Sequence, residues 1–474
     1  MTDRGLQWFA PFGVDEDLIS KVLSEATARG ADFADLFFEH RTVRSLGLED
    51  GAVNRAYAGV DLGVGVRVVR GDQTGYAYSE DLSIEAVLQA ARTAAAIADG
   101  SPKPRTAAFA VQPVANRYPI LRPWANVATA DKLPMLRELE RRAFAADSRI
   151  QKVNLSFADS SGAMLVATSD GRLAFDLQPM TVLSLSCTAE HNGRRESGGY
   201  NVAARDDFSF YDPSRLDRLV NRAVERTTIL FDAVPAPAGE MTVVLGAGSS
   251  GILLHEAIGH GLEADFNRKG VSIYADKLGK AIAGPLVTIV DDATLPHARG
   301  SINIDDEGNP AGCTELVVGG VLQSFLHDQI SAKHYGVAPT GNGRREDFRS
   351  QPLPRMRSTY MRPGPHTRDE IIASVKNGIF CDHFANGQVQ IGAGDFTFYV
   401  RSGWLIEDGK LTRPIKDVNL VGNGPKVLEQ IDMVGDDLLI DEGGWTCGKD
   451  GQSVPVSQGM PSVRVGKMTV GGRG

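Results

Sequence analysis

The stretch DAVPAPAGEMTVVLGAGSSGILLHEAIGHG, residues 232–261, divides the chain and carries its strongest chemical signal. Residues 232–239 hold two prolines, three alanines and a glycine, which breaks both helical and strand periodicity. Residues 233–239 are therefore read as a linker between an N-terminal domain, 1–232, and a C-terminal domain, 240–474. The apolar run at 241–245 predicts a strand, leading through a Gly/Ser loop into a helix that bears His255 and His260.

Upstream of the linker, residues 15–28 have helical spacing, with Leu18, Ile19, Val22 and Leu23 on one side and Gly30 beyond the end. Residues 33–49 and 57–78 alternate as strands, with a turn at Gly71 and Asp72. Residues 83–98 and 129–147 predict helices, with a loop or extended crossing over 100–123. Four short strands follow at 151–158, 163–168, 172–176 and 180–190, each bounded by Gly, Asp or Asn, and then a helix over 213–230. Downstream, the segments 285–292, 314–328 (with a Gly319–Gly320 hairpin), 388–411 and 468–472 predict strands and turns. The fold class expected is α+β: an N-terminal α/β domain of sheet and helices, followed by a domain dominated by antiparallel β-sheet that carries the metal-site helix.

The 474 residues are enough for two to four domains, at roughly 100–200 residues each. The net charge of −9 argues against nucleic acid as a partner. No run of about 18 apolar residues predicts a membrane span, and the first residues lack a secretory signal pattern. Four widely spaced cysteines, Cys187, Cys313, Cys381 and Cys447, form no C-x-x-C pair. They are read as reduced thiols in a cytoplasmic protein.

The chemistry centres on HEAIGH, residues 255–260. Two imidazoles suit a zinc ion, and the adjacent Glu256 can take a proton from the water that the metal acidifies. The spacing is one residue longer than in H-E-x-x-H. Residues five apart on a regular helix point about 140° apart. Both rings can face one ion only if the backbone departs from the α-helix, through a π-type turn or a helix end near Gly259–His260–Gly261. The residues leave the third ligand open among Glu263, Asp265, His297, His327, His383 and the cysteines. Cys447 stands out because glycines surround it in EGGWTCGKDGQ.

Together, LLHEAIGHGLEADFNRKG, DFRSQPLPRMRSTYM, GDFTFYVRSGWLIEDGKL and CGKDGQSVPVSQG resemble the TldD/PmbA family of zinc peptidases, in its TldD-type form that bears the metal motif. The resemblance runs through most of the chain and is densest from about residue 240 to 460. It implies His255, His260 and Cys447 as metal ligands and Glu256 as general base, with zinc, or iron, as the ion. It also implies a heterodimer with a PmbA/TldE-type paralogue enclosing a central cavity, a homodimer being the other arrangement. The substrates it implies are small, unfolded or modified peptides, bound extended beside a β-strand. None of the four metal-site positions departs from the family pattern. The function expected is therefore a metal-dependent peptidase; the alternative is a non-catalytic peptide-binding subunit with a structural metal.

Two further features compete for a role. Gly246–Ala–Gly248–Ser–Ser–Gly251 matches G-x-G-x-x-G after a strand. Its helix carries His255 and Glu256, however, and no clear strand ends in an acid about twenty positions on, so the glycines are read as a tight strand-to-helix turn. Arg344, Arg345, Arg349, Arg355, Arg357 and Arg362 are read mainly as structural ion-pair formers, a subset of which could hold a peptide carboxylate or oxyanion. Tyr360 and His327 are read as structural in the same way.

Overall fold

The computed structural model describes residues 4–98, 100 and 108–471. Its N-terminal part is one seven-stranded sheet backed by helices. Six strands carry it: β1 (Phe33–Glu49), β2 (Ala52–Arg70), β3 (Gln73–Ser79), β4 (Ile150–Thr168), β5 (Arg172–His191) and β6 (Arg194–Ala204). They pair antiparallel in the order β3-β2-β1-β4-β5-β6, and the short strand Ala110–Val111 pairs parallel with β5. The loop expected over 100–123 thus contains one short strand, and residues 101–107 of it lie outside the described residues.

Strand alternation sorts the side chains onto two faces. Ala34, Leu36 and Phe38 of β1 pack under α1 (Glu16–Thr27) and α2 (Ile84–Ala95). Leu46 and Leu48 of β1 pack under α3 (Thr129–Ala146) and α4 (Pro213–Thr228). The helices therefore cover the same face of β1 toward both of its ends. Phe37, Met164 and Val166 lie on the other face and meet Ile304 and Phe348 of the C-terminal half.

The four short strands expected between 151 and 190 are two long ones, β4 and β5. Ser160, Gly162 and Gln178 resemble turn residues in sequence, but they line a cavity between the sheet and the C-terminal half. A polar residue facing that space leaves strand pairing intact.

The C-terminal part is built on β7 (Gly239–Leu245), β8 (Asn377–Gln390), β9 (Asp395–Glu407), β10 (Lys410–Asn423) and β11 (Val463–Gly471). Strand β11 pairs with both β7 and β10, so these five strands close into a ring. Most pairings are antiparallel, but β7 and β8 run parallel. Six short strands, Ile289–Asp292 and Ser358–Met361 among them, form a second sheet, and Gly319 and Gly320 make the expected hairpin turn. Within the linker, Val234 and Pro235 pair with Ile415 and Lys416 of β10.

A buried ionic network ties the N-terminal sheet to the C-terminal half. Arg67 of β2 meets Asp35 of β1 at 2.6 Å and Glu307 at 2.7 Å, and Arg345 reaches Asp35 at 3.3 Å. All four side chains are sealed from water. Removing one partner of such a network leaves its counter-charges buried and unpaired. Arg67→Ala is expected to cost about 3–5 kcal/mol, seen as a lower urea midpoint; an unchanged midpoint would show that the halves dock without it.

Candidate metal centre

The backbone from His255 to Gly259 forms a single π-helical turn, in which the His260 N–H donates to the His255 carbonyl. A tight 3-10 turn, His260–Leu262, ends the segment. The irregularity demanded by the five-residue spacing is present, and the two rings come to 4.8 Å between centroids at an interplanar angle of 84°. Gly259 and Gly261 act through the space they leave. Gly259 keeps ordinary helical angles (φ −56°, ψ −56°), so it relieves no backbone strain. A Cβ on Gly259 would collide with Met356 Sδ, and one on Gly261 would lie 2.6 Å from the Tyr274 ring. These glycines are needed for close approach.

Polar groups take up the carbonyls that the irregular helix leaves over. Tyr274 donates its hydroxyl to the Ala257 carbonyl at 2.8 Å. Asn267 donates to the carbonyls of Gly261 and Glu263, and Ser272 to that of Gly261.

Cys447 arrives from a distant hairpin, Thr446–Lys449 paired with Gln452–Pro455. Its Sγ lies 3.4 Å from His260 Nε2, and ligand atoms of His255, His260 and Cys447 all lie within 4.8 Å of one another. His255 Nδ1 is buried with no hydrogen-bond partner. Two imidazoles and a thiol so placed fit a borderline-soft cation such as zinc. Arg355 fixes the hairpin by donating to the Cys447 carbonyl at 2.6 Å.

Behind His260 stands a chain of charges. His260 Nδ1 and Glu263 Oε2 are 3.0 Å apart, and Lys449 Nζ lies 3.1 Å from the same oxygen and 2.8 Å from Asp265. Glu263 and Asp265, candidates for the third ligand, thus stand on the far side of the ring. Burial alone would raise the Glu263 carboxyl, but Lys449 and His260 hold it down at about 2. Burial opposes protonation of His260, yet the Glu263 carboxylate lifts its pKa well above the usual value. Burial likewise acts against the Cys447 thiolate; the charge and hydrogen bonding of His255 and His260 prevail and put its pKa well below an ordinary thiol's. Thiolate is the form in which sulfur binds metals.

Glu256 is mostly buried, and that burial raises its pKa against the pull of His255 and His260. Its Cγ would lie 3.3 Å from a Cβ on Gly387 of β8. The carboxyl is thus close to the ring of strands.

The other candidates are elsewhere. His327 packs on Phe325 and Tyr335, and His297 faces Asp206. His383 is buried beside Arg226 and Arg401, with its pKa pushed down to about 3, first by burial. Cys187 and Cys381 are core thiols, and Cys313 is exposed. Tyr360 donates to Asp292. Arg357 is locked on Asp291, while Arg349 and Arg362 pair with acids nearer the surface.

The Gly246–Gly251 loop closes on its own chain. Gly246 N–H donates to Cys381 O and Gly248 N–H to Met460 O, and a Cβ on Gly251 would lie 2.6 Å from Gly459 N. The amides of all three motif glycines are thus engaged within the chain rather than turned to a phosphate.

Comparison with known proteins bears on this geometry. Three family profiles match in order: PmbA/TldA metallopeptidase domain 1 over residues 34–98, the central domain over 122–231 and the C-terminal domain over 238–472. A Haemophilus influenzae protein described as a metalloprotease TldD homolog is 40% identical over 98% of this chain and 97% of its own. A Methanothermobacter thermautotrophicus metalloprotease is 32% identical over 97% and 99%. Two crystal structures share the fold: a Thermotoga maritima protein (TM-score 0.78, 21% identity, 96% of this chain and 100% of that one) and TldE from Thermococcus kodakarensis (TM-score 0.75, 19% identity, 96% and 99%).

The tight loop generates a test. Gly251→Ala pushes a methyl into backbone that cannot swing aside, at a cost of about 1–3 kcal/mol, read as a lower Tm. Nucleotides should give the wild-type protein no thermal protection; a clear rise in Tm with nucleotide would restore the phosphate-binding reading.

Proposed function

Because the chain belongs to the PmbA/TldD metallopeptidase family and is a metal-dependent peptidase, we propose that His255, His260 and Cys447 hold a zinc ion, with Glu256 as the general base. The observation that carries this reading is the convergence of the two imidazoles and the thiol, made possible by the π turn. Iron suits the same donors. Three protein ligands leave a coordination position open, as catalytic rather than closed structural sites do.

When bound, the ion supplies a Lewis acid that polarises the scissile carbonyl and acidifies the attacking water. Glu256 takes the water's proton and passes one to the departing amine. Glu263 holds His260 Nδ1, so that Nε2 is presented to the ion, and Lys449 holds Glu263.

The substrate is an extended, unfolded or modified peptide. The sequence segment 388–399 is a hairpin, with Gln388 opposite Thr397. The other side of β8 pairs with β7 only over 378–381, and among the described residues nothing pairs with that side from 386 to 390. This open edge begins beside Glu256, and at Gly387 the missing side chain leaves room for the Phe398 ring. A PmbA/TldE-type subunit, which shares this fold, would complete the chamber as a heterodimer partner; a homodimer is the other form. Four unpaired cysteines fit a cytoplasmic setting. Among the described residues, no helix is long and apolar enough to cross a membrane.

His255→Ala, His260→Ala and Cys447→Ser are each expected to lose most of the bound metal by elemental analysis, and Glu263→Ala to weaken binding about 10–100-fold. Glu256→Gln should keep the metal and lose about 10²–10⁴-fold in kcat. Loss of metal from Glu256→Gln would make Glu256 a ligand, and full metal in Cys447→Ser would move the third ligand elsewhere. A second test offers one sequence both as a free peptide and inside a stable folded domain, with and without a PmbA-type partner. Cleavage should be confined to the free peptide and be weak without the partner; equal cleavage of both forms would end the enclosed-chamber idea.

A further inference from the structure

A cavity of about 280 Å³ lies between the second face of the N-terminal sheet and the hairpin that carries Cys447. On that hairpin Cys447 and Val454 are paired and point into the core, whereas Thr446, Ser453 and Pro455 line the cavity. The two sites therefore lie back to back across one thin hairpin.

Three guanidiniums reach this cavity: Arg205, Arg299 and Arg344. Arg205 and Arg344 are 2% and 3% exposed, yet none of the three makes an ion pair among the described residues. Arg205 donates to Gln178 and the Arg299 carbonyl, and Arg344 to the Met356 carbonyl. Arg299 donates to Trp445 O and Thr446 Oγ1, and its Nη1 is buried with no partner. The other cations of the lining are already matched, Arg345 with Asp35 and Arg41 with Asp61. Of the acids, Asp306 accepts from the Arg345 amide, and burial raises its carboxyl against the pull of the Arg345, Arg344 and Arg205 charges; Glu39 accepts from the Phe348 amide, and Glu346 stands exposed. Burial lifts Glu39 to about 7 and pushes Arg344 and Arg299 down to about 9 and 10. Phe37, Met164, Met180 and Ile302 add an apolar wall.

Buried cations with no direct ion pair are costly, Asp306 offsetting Arg344 and Arg205 only at longer range, and planar guanidiniums match a carboxylate in geometry. We propose that this cavity binds the carboxylate end of a short peptide whose last side chain is apolar, with Arg205, Arg299 and Arg344 on the carboxylate. The inference rests on the peptidase reading only for the origin of the ligand, because peptide hydrolysis creates new carboxylate ends. Through Arg299 and Thr446 the bound end would be one residue from Cys447.

The test needs no turnover. Chelator-treated wild-type protein, with no ion to compete for the acid, is titrated calorimetrically with N-acetyl-leucine, with N-acetyl-leucinamide and with inorganic phosphate. The acid is expected to bind at least about tenfold more tightly than either, a difference of about 1.4 kcal/mol. Ser160→Glu, which brings a carboxylate to the cavity wall without removing a buried side chain, should abolish acid binding. Equal binding of acid and amide would overturn the proposal. So would phosphate binding as tightly as the acid, since the apolar wall would then contribute nothing, and so would full acid binding by the Ser160→Glu variant. Acid binding in a protein that cleaves no peptide would sink the peptidase mechanism and leave this site standing; peptide cleavage without acid binding would do the reverse.

Discussion

The carboxylate of Glu263, sealed between His260 and Lys449, joins two parts of the chain that sequence keeps far apart. His260 ends the motif helix, and Lys449 lies on the hairpin that brings Cys447. One buried anion orients an imidazole and anchors the strand that delivers the thiol. Without it a protonated Lys449 would face only Asp265 and the Pro354 carbonyl in a dry interior, and the His260 ring would be free to turn. The π turn sets the direction of the two rings, and the Glu263 contact orients that of His260.

Much of this was legible in the sequence where the constraint is local. Two histidines five apart cannot share an ion on a regular helix, so HEAIGH by itself demanded the distortion that the backbone has. The linker composition marked the change of texture at 233–239, although Val234 and Pro235 turn out to be pinned into the C-terminal sheet. Glu263 was visible as a carboxylate near the motif, but chain proximity does not reveal which side of a ring a neighbour occupies. Lys449 gave no signal, because its partners come from distant segments, and Arg355 stood out only as one of the arginine cluster, not as the residue that holds the Cys447 hairpin. Ser160 and Gly162 suggested strand breaks, since a polar residue facing an internal cavity reads like one facing solvent at a turn.

The arginines follow the same division. Arg357, fully paired with Asp291, is the structural cation that loop arginines most often are. Arg344 comes from the same cluster, yet it joins Arg205 and Arg299 from elsewhere in the chain around a common space. Clustering in sequence and clustering in space select different members, and only the second separates a guanidinium locked in a direct ion pair from one that has none.

The open side of β8 is also a hazard. Unpaired amides and carbonyls in a row are a template on which another molecule's strand can polymerise, and proteins normally blunt such rims. Here the register slips repeatedly between Cys381 and Asn386, which kinks the strand as bulges do and leaves only a short run able to pair. Whatever docks on that rim must be short and must tolerate the kink. If a peptide pairs with this rim as proposed, the irregularity that guards against fibril-like stacking would also limit the length of the run that can pair.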